Sequence, residues 1–105
     1  MRRIGAYGTL KKGHYNNNPD WHLVRTMTIR GMMTSNGSYP RLYKPTEENQ
    51  EFVRDHELQV LDIPDDDFIW IDSIERFSGY YSEEVGDYVV YWSHLPVTGE
   101  PVEEF

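Results

Sequence analysis

The stretch "PDDDFIWIDSIERFSG", residues 64–79, decides the fold class. Pro64 precedes Asp65, Asp66 and Asp67, which fall in a first helical turn, where negative charge complements the helix dipole. Gly79 stands just past the other end, where helices commonly stop. These signals predict a helix over residues 65–77. At about 100° per residue, Phe68, Ile71, Asp72 and Glu75 share one face. Ile71 and Glu75 are four apart and lie one above the other. Trp70, Ile74 and Phe77 make another apolar stripe, which predicts cover on more than one side. A carboxylate among such side chains is open to partial burial, which raises its pKa and makes it a competent base near neutral pH. The plainer reading is that Glu75 pairs with Arg76, with a nearby lysine or with water, since buried glutamates are rare.

The rest of the chain reads as strands and turns. Residues 3–9 predict a strand, and "GHYNNNPD" at 13–20 a loop. Residues 21–25 predict a short helical turn with Asp20 as its N-cap. "TMTIRGMM" at 26–33 suits a strand. Asn36-Gly37 is a hairpin signal that returns the chain into a short strand at 39–43. Residues 44–51 are polar and loop-like, and 52–61 predict a strand. "YYSEEV" and "DYVVYWS" read as two strands around Gly86-Asp87, and the tail "LPVTGEPVEEF" as irregular. Many strands with one clear helix predict an α+β fold: a small, mostly antiparallel, barrel-like mixed sheet with one or two flanking helices.

With 105 residues the chain predicts a single domain, 1–105, around one core. It has no cysteine, so it offers neither disulfides nor a thiolate nucleophile or metal site, which fits a reducing, cytoplasmic setting. Arg2 and Arg3 are followed by Ile4 and Gly5 rather than a sustained apolar run, so no signal-peptide pattern is present, and no stretch reaches membrane-spanning length. The formal net charge of −8 disfavours nucleic acid as a partner. His14, His22, His56 and His94 lack metal-ligand spacing, so no metal is expected. No serine sits in a Gly-x-Ser-x-Gly elbow, and there is no phosphate-loop signature.

"AYGTLKKG", residues 6–13, ends the first strand. A glycine there lets backbone amides point into space that a side chain would otherwise fill, and consecutive amides in such a turn can hold an anion. Lys11 and Lys12 offer a local basic patch to a small anion. The plainer alternative is a strand ending in an ordinary turn with solvated lysines.

Tyr7-Gly8-Thr9-Leu10 after the first strand, Tyr39-Pro40 in the middle, and Ile71-Asp72-Ser73-Ile74-Glu75 on the late helix resemble, in that order, the gamma-glutamylcyclotransferase-like family. Its members carry a "YGTL" or "YGSL" turn followed by basic residues and glycine, a "YP" element, and an "LDxxE" helix followed by a tyrosine-containing stretch. "HELQVLD" at 56–62 is similar to the family's "GELYEVD" strand, with His56 in place of the glycine. The resemblance implies a small barrel-like mixed sheet with flanking helices. It implies an enzyme of transferase or lyase type that cuts a gamma-glutamyl amine by internal cyclisation, releasing 5-oxoproline and a free amine. It implies Glu75 as the general acid/base and Tyr7, Gly8, Thr9, Leu10, Tyr39 and Tyr81 as substrate-binding residues. No cofactor is implied, and the partner is a small gamma-glutamyl substrate. Where family members often carry an arginine, this chain has Ser82-Glu83-Glu84, an acidic stretch that would suit a cationic leaving amine such as a lysine or polyamine. The alternatives are a catalytically inactive binding module and an acidic protein-interaction or inhibitor protein on the same fold.

Overall fold

The computed structural model describes residues 1–35, 39–97 and 99–103. In chain order the elements are β1 (Arg2–Ala6), β2 (His22–Ser35), β3 (Pro40–Tyr43), a 3₁₀ turn (Gln50–Phe52), β4 (Arg54–Ile63), α1 (Asp65–Phe77), β5 (Tyr80–Val85), β6 (Tyr88–Ser93) and β7 (Glu100–Val102). Among the described residues they make an α+β fold with one helix and a mixed sheet of seven strands, in the order β3-β2-β4-β1-β6-β5, with β7 on β2. β1 and β6 run parallel, while the other pairs are antiparallel.

Alternation along the central strands builds two apolar layers, because successive side chains leave a strand on opposite faces. Ile4 and Ala6 of β1, Leu61 and Ile63 of β4, and Val89 and Tyr91 of β6 face α1, where they meet Phe68 and Ile71. Leu58 and Val60 of β4 and Tyr88, Val90 and Trp92 of β6 face the other way and pack with Met33 and Leu42. β6 is buried at every position, so it is covered on both faces. The second layer can exist because the sheet curls: the Tyr80 hydroxyl of β5 donates to the Pro40 carbonyl of β3 at 2.9 Å. Arg41 of β3 also reaches the Ser93 hydroxyl of β6 at 3.4 Å. The two ends of the strand order therefore meet, and the sheet is barrel-like.

α1 has the bounds its sequence predicts. Three aspartates fill its first turn, and Gly79, at φ +94°, adopts the left-handed conformation that ends it. Other expectations need correction. Residues 21–25 are not helical, and β2 begins at His22, paired with Asp62 of β4. Trp21 is buried and its indole donates to Asp67 of α1 at 2.9 Å, so a tertiary contact takes the chain straight into the strand. The first strand stops at Ala6, four residues into a chain segment expected to stay extended to residue 9. The tail is not wholly irregular, since Glu100–Val102 adds to β2. The Asn36-Gly37 turn lies outside the described residues, although β2 and β3 do pair around it. The second apolar stripe of α1 is not covered: Trp70 and Ile74 are exposed and Phe77 is 94% exposed. The helix lies on the outside of the curled sheet, so the sheet covers only the face carrying Phe68 and Ile71. Among the described residues no helix is long and apolar enough to cross a membrane.

This layering predicts unequal mutational sensitivity. Leu61→Ala should lower stability by about 2–5 kcal/mol, because Leu61 is wholly buried under α1. Phe77→Ala should change it by less than about 0.5 kcal/mol. Urea unfolding followed by circular dichroism measures both.

Candidate active site

Glu75 lies one turn beyond Ile71, on the helical face that packs against the sheet. It emerges where that apolar layer ends, and it is half-buried. There it borders a cavity of about 230 Å³. The cavity lies between the last turn of α1, the turn at residues 7–10 and the Tyr39–Pro40 step, with the buried Ala6, Tyr7, Tyr80 and Tyr91 among its walls. The structure thus brings together Glu75, Tyr7, Gly8, Thr9, Leu10 and Tyr39, which are far apart in sequence.

The turn after β1 is closed by the Lys11 N–H donating to the Gly8 carbonyl at 3.0 Å. Its other carbonyls are also engaged: Asn16 N–H donates to Thr9 at 3.1 Å, and the Asn17 side-chain amide donates to Leu10 at 2.7 Å. The N–H groups of its central residues, Thr9 and Leu10, make no hydrogen bond within the described residues. Two adjacent unengaged amides beside a cavity suit an anion or a developing oxyanion. Gly8 is needed for a reason other than backbone freedom, because its φ is not positive. A Cβ there would lie 2.5 Å from Pro40 Cγ and 2.8 Å from Pro40 Cδ. Pro40 therefore rests directly on Gly8, and this contact joins the two motifs.

Burial pushes the Glu75 carboxyl from 4.5 up to about 7; the positive charge of Arg41 opposes the rise and the negative charge of Asp72 adds to it. Among the described residues no side chain hydrogen-bonds or ion-pairs with it. Arg76, one of the partners the sequence offers Glu75, instead donates to Asp72 at 2.8 Å, and Tyr91 donates to the other Asp72 oxygen at 2.8 Å. Burial opposes ionisation of Asp72, but the hydrogen bonds from Arg76 and Tyr91 outweigh it and hold its carboxyl below the usual range. The two carboxyls are driven apart by environment, so Glu75 can exchange a proton near neutrality while Asp72 stays ionised. Burial likewise raises the Tyr7, Tyr80 and Tyr91 phenols, which remain neutral donors.

Tyr81 does not join the site. Strand alternation sends Tyr80 to the cavity and Tyr81 to the opposite face, where its ring lies 5.8 Å from the Lys44 ammonium. Glu83 shares that opposite face, paired with Lys44 and accepting from the Trp92 indole at 3.2 Å. The acidic stretch therefore does not line the cavity. Nor do the lysines: Lys11 is buried and pairs with Glu57 at 3.4 Å, while Lys12 donates to the Trp21 and Pro19 carbonyls. The cation near the site is Arg41, which the sequence did not single out. Its guanidinium lies 5.4 Å from the Tyr39 ring centre and 5.1 Å from that of Tyr80, and donates to the Ser78 carbonyl at 3.3 Å. Among the described residues no group of three or more His, Asp or Glu side chains is placed to hold a metal ion.

No family model matches the chain, and no curated protein matches it. Among solved structures it is similar to an uncharacterized protein, PH0828, from Pyrococcus horikoshii. That likeness has a TM-score of 0.71 at 20% identity, covering 98% of this chain and 86% of the other. It shows a shared fold and leaves activity to the site itself.

The raised Glu75 carboxyl carries a stability signature. The folded state holds this proton more tightly than the unfolded chain, so stability falls as pH rises from about 4.5 and levels off above about 7. Glu75→Gln removes that loss. Its stability should match wild type near pH 4 and exceed it at pH 8 by about 3 kcal/mol, from about 1.4 kcal/mol per pH unit of displacement. Urea midpoints at the two pH values measure the difference.

Proposed function

We propose that the protein is a gamma-glutamylcyclotransferase-like enzyme that cleaves a gamma-glutamyl amine to 5-oxoproline and a free amine. The observation that carries this reading is the placement, across one cavity, of a carboxyl poised at about 7 and of the Thr9 and Leu10 amides, none of which has a hydrogen-bond partner among the described residues. Its sequence counterpart is the ordered "YGTL", "YP" and "LDxxE"-like resemblance.

The chemistry needs few parts. A gamma-glutamyl amide carries its own nucleophile, the α-amine, placed to close a five-membered ring on the γ-carbonyl. The protein need supply no nucleophile of its own, which suits a chain without cysteine. It must fold the substrate into the attacking conformer, and an aromatic-walled cavity with a fixed anion seat does this. The α-ammonium first gives one proton to water. The amine nitrogen then forms a bond to the γ-carbon, and Glu75 takes a second proton from that nitrogen. The negative charge arising on the γ-oxygen is met by the Thr9 and Leu10 N–H groups. The bond from the γ-carbon to the leaving nitrogen breaks, and Glu75 returns its proton to that nitrogen. The departing amine takes a further proton from water. A purely binding site for an anion gains nothing from a carboxylate in its wall, so Glu75 favours catalysis over the binding-module alternative.

Release of 5-oxoproline from a panel of gamma-glutamyl amides tests the reading. Wild type should release it, with kcat/KM rising as pH passes through about 7 because the base must be ionised. Glu75→Gln should lower kcat/KM by about 10²–10⁴-fold while staying folded. Silence from folded wild-type protein across the panel would move the reading to a binding module.

A further inference from the structure

We propose that the leaving amine is neutral and apolar, aromatic or branched aliphatic, rather than a lysine or polyamine. This rests on the cyclotransferase reading and names the substrate class of the same cavity. The acidic stretch after α1 pointed to a cationic amine in the sequence, but the fold removes it from the site. Glu83 is neutralised by Lys44 on the opposite face, and Glu84 is exposed away from the cavity wall.

The direction of the leaving group follows from the walls. Ala6, Tyr7, Tyr80 and Tyr91 are all buried and close one end of the cavity. With the glutamyl group between the 8–11 turn and Glu75, the amine must project toward the open end. That end is bordered by Tyr15, Tyr39 and Ile74, which are 73%, 37% and 42% exposed, and by the exposed Asn16 and Ser78, of which Asn16 donates its side-chain amide to the Thr9 hydroxyl and Ser78 accepts from Arg41 at its carbonyl. The first three are large apolar surfaces at a cavity mouth, where contact with an apolar group removes both from water.

Charge argues in the same direction. Glu75 is the one carboxylate among the described residues bordering the cavity. Asp72 is already held by Arg76 and Tyr91. Among the described residues a lysine or polyamine tail would find no second carboxylate there. It would also approach Arg41, whose guanidinium lies against the Tyr39 and Tyr80 rings and is held at the Ser78 carbonyl on the cavity rim. Like charge in that half-buried setting disfavours a second cation.

The test compares kcat/KM for 5-oxoproline release from gamma-glutamyl-phenethylamide and gamma-glutamyl-isopentylamide with that from gamma-glutamyl-ε-lysine and gamma-glutamyl-putrescine. Wild type should favour the apolar pair by about tenfold or more, the scale of discrimination that apolar contacts support. Ile74→Ser should shrink that preference, and Ile74→Glu, which sets a carboxylate at the mouth, should shift it toward the cationic pair. Ile74 is exposed, so both variants should keep the wild-type circular dichroism spectrum. Equal or better turnover of the cationic pair by wild type would overturn the amine assignment and leave the cyclotransferase reading standing. An unchanged preference in both Ile74 variants would overturn the assignment of the mouth. No release from any of the four by folded protein would overturn the cyclotransferase reading and this inference together.

Discussion

The seating of Phe68 and Ile71 on the sheet fixes the geometry of everything else around the cavity. These two side chains are the buried residues of α1, and they meet Ile4, Leu61, Ile63, Val89 and Tyr91 from three adjacent strands. A helix held by one narrow face cannot roll without exposing that layer to water. Because Glu75 stands one turn beyond Ile71 on the same face, the packing that excludes water from the core also sets the depth of the carboxyl. The same depth accounts for its raised pKa, since burial is the largest cause of that shift.

A second constraint acts on the other wall. The curl of the sheet carries β3 to the edge of β5 and β6, and Pro40 comes down on Gly8. That contact leaves no room for a Cβ and so locks the turn after β1 against the middle of the chain. The turn's carbonyls are engaged by Lys11, Asn16 and Asn17, which holds the peptide units in place and leaves the Thr9 and Leu10 amides unengaged among the described residues. The turn is thus shaped by local hydrogen bonds and then positioned by a long-range contact. Charges that the sequence offers to the site are engaged elsewhere: Lys11 pairs with Glu57, Glu83 with Lys44 and Arg76 with Asp72.

Much of the architecture was legible from local signals. α1 follows from its aspartates, its apolar spacing and Gly79, and its bounds agree with the expectation. The strands after it also agree, because alternation and the Gly86-Asp87 turn are local features. The failures have a common cause. Residues 21–25 look helical in isolation, but Trp21 is claimed by Asp67 and the next residue by β4. Glu100–Val102 has little strand character of its own, yet it pairs with β2 because that strand offers an open edge. Trp70 and Phe77 look like core residues by composition, but only one face of the helix meets the sheet.

For the site, the sequence by itself determined the chemical types: a carboxylate on an apolar helix, a glycine-bearing turn after the first strand, and a tyrosine-proline step. It also determined that Asp72 and Glu75 would share a helical face, because that depends only on spacing. Tertiary structure alone decided which tyrosine after the helix faces the cavity, since a shift of one residue along a strand exchanges faces, and it chose Tyr80 over Tyr81. It alone brought Arg41 near Glu75 and took Glu83 away. These outcomes depend on how the sheet curls and on which charges meet after it has curled, and no local run of residues encodes the distance between two strands that are not neighbours in the chain.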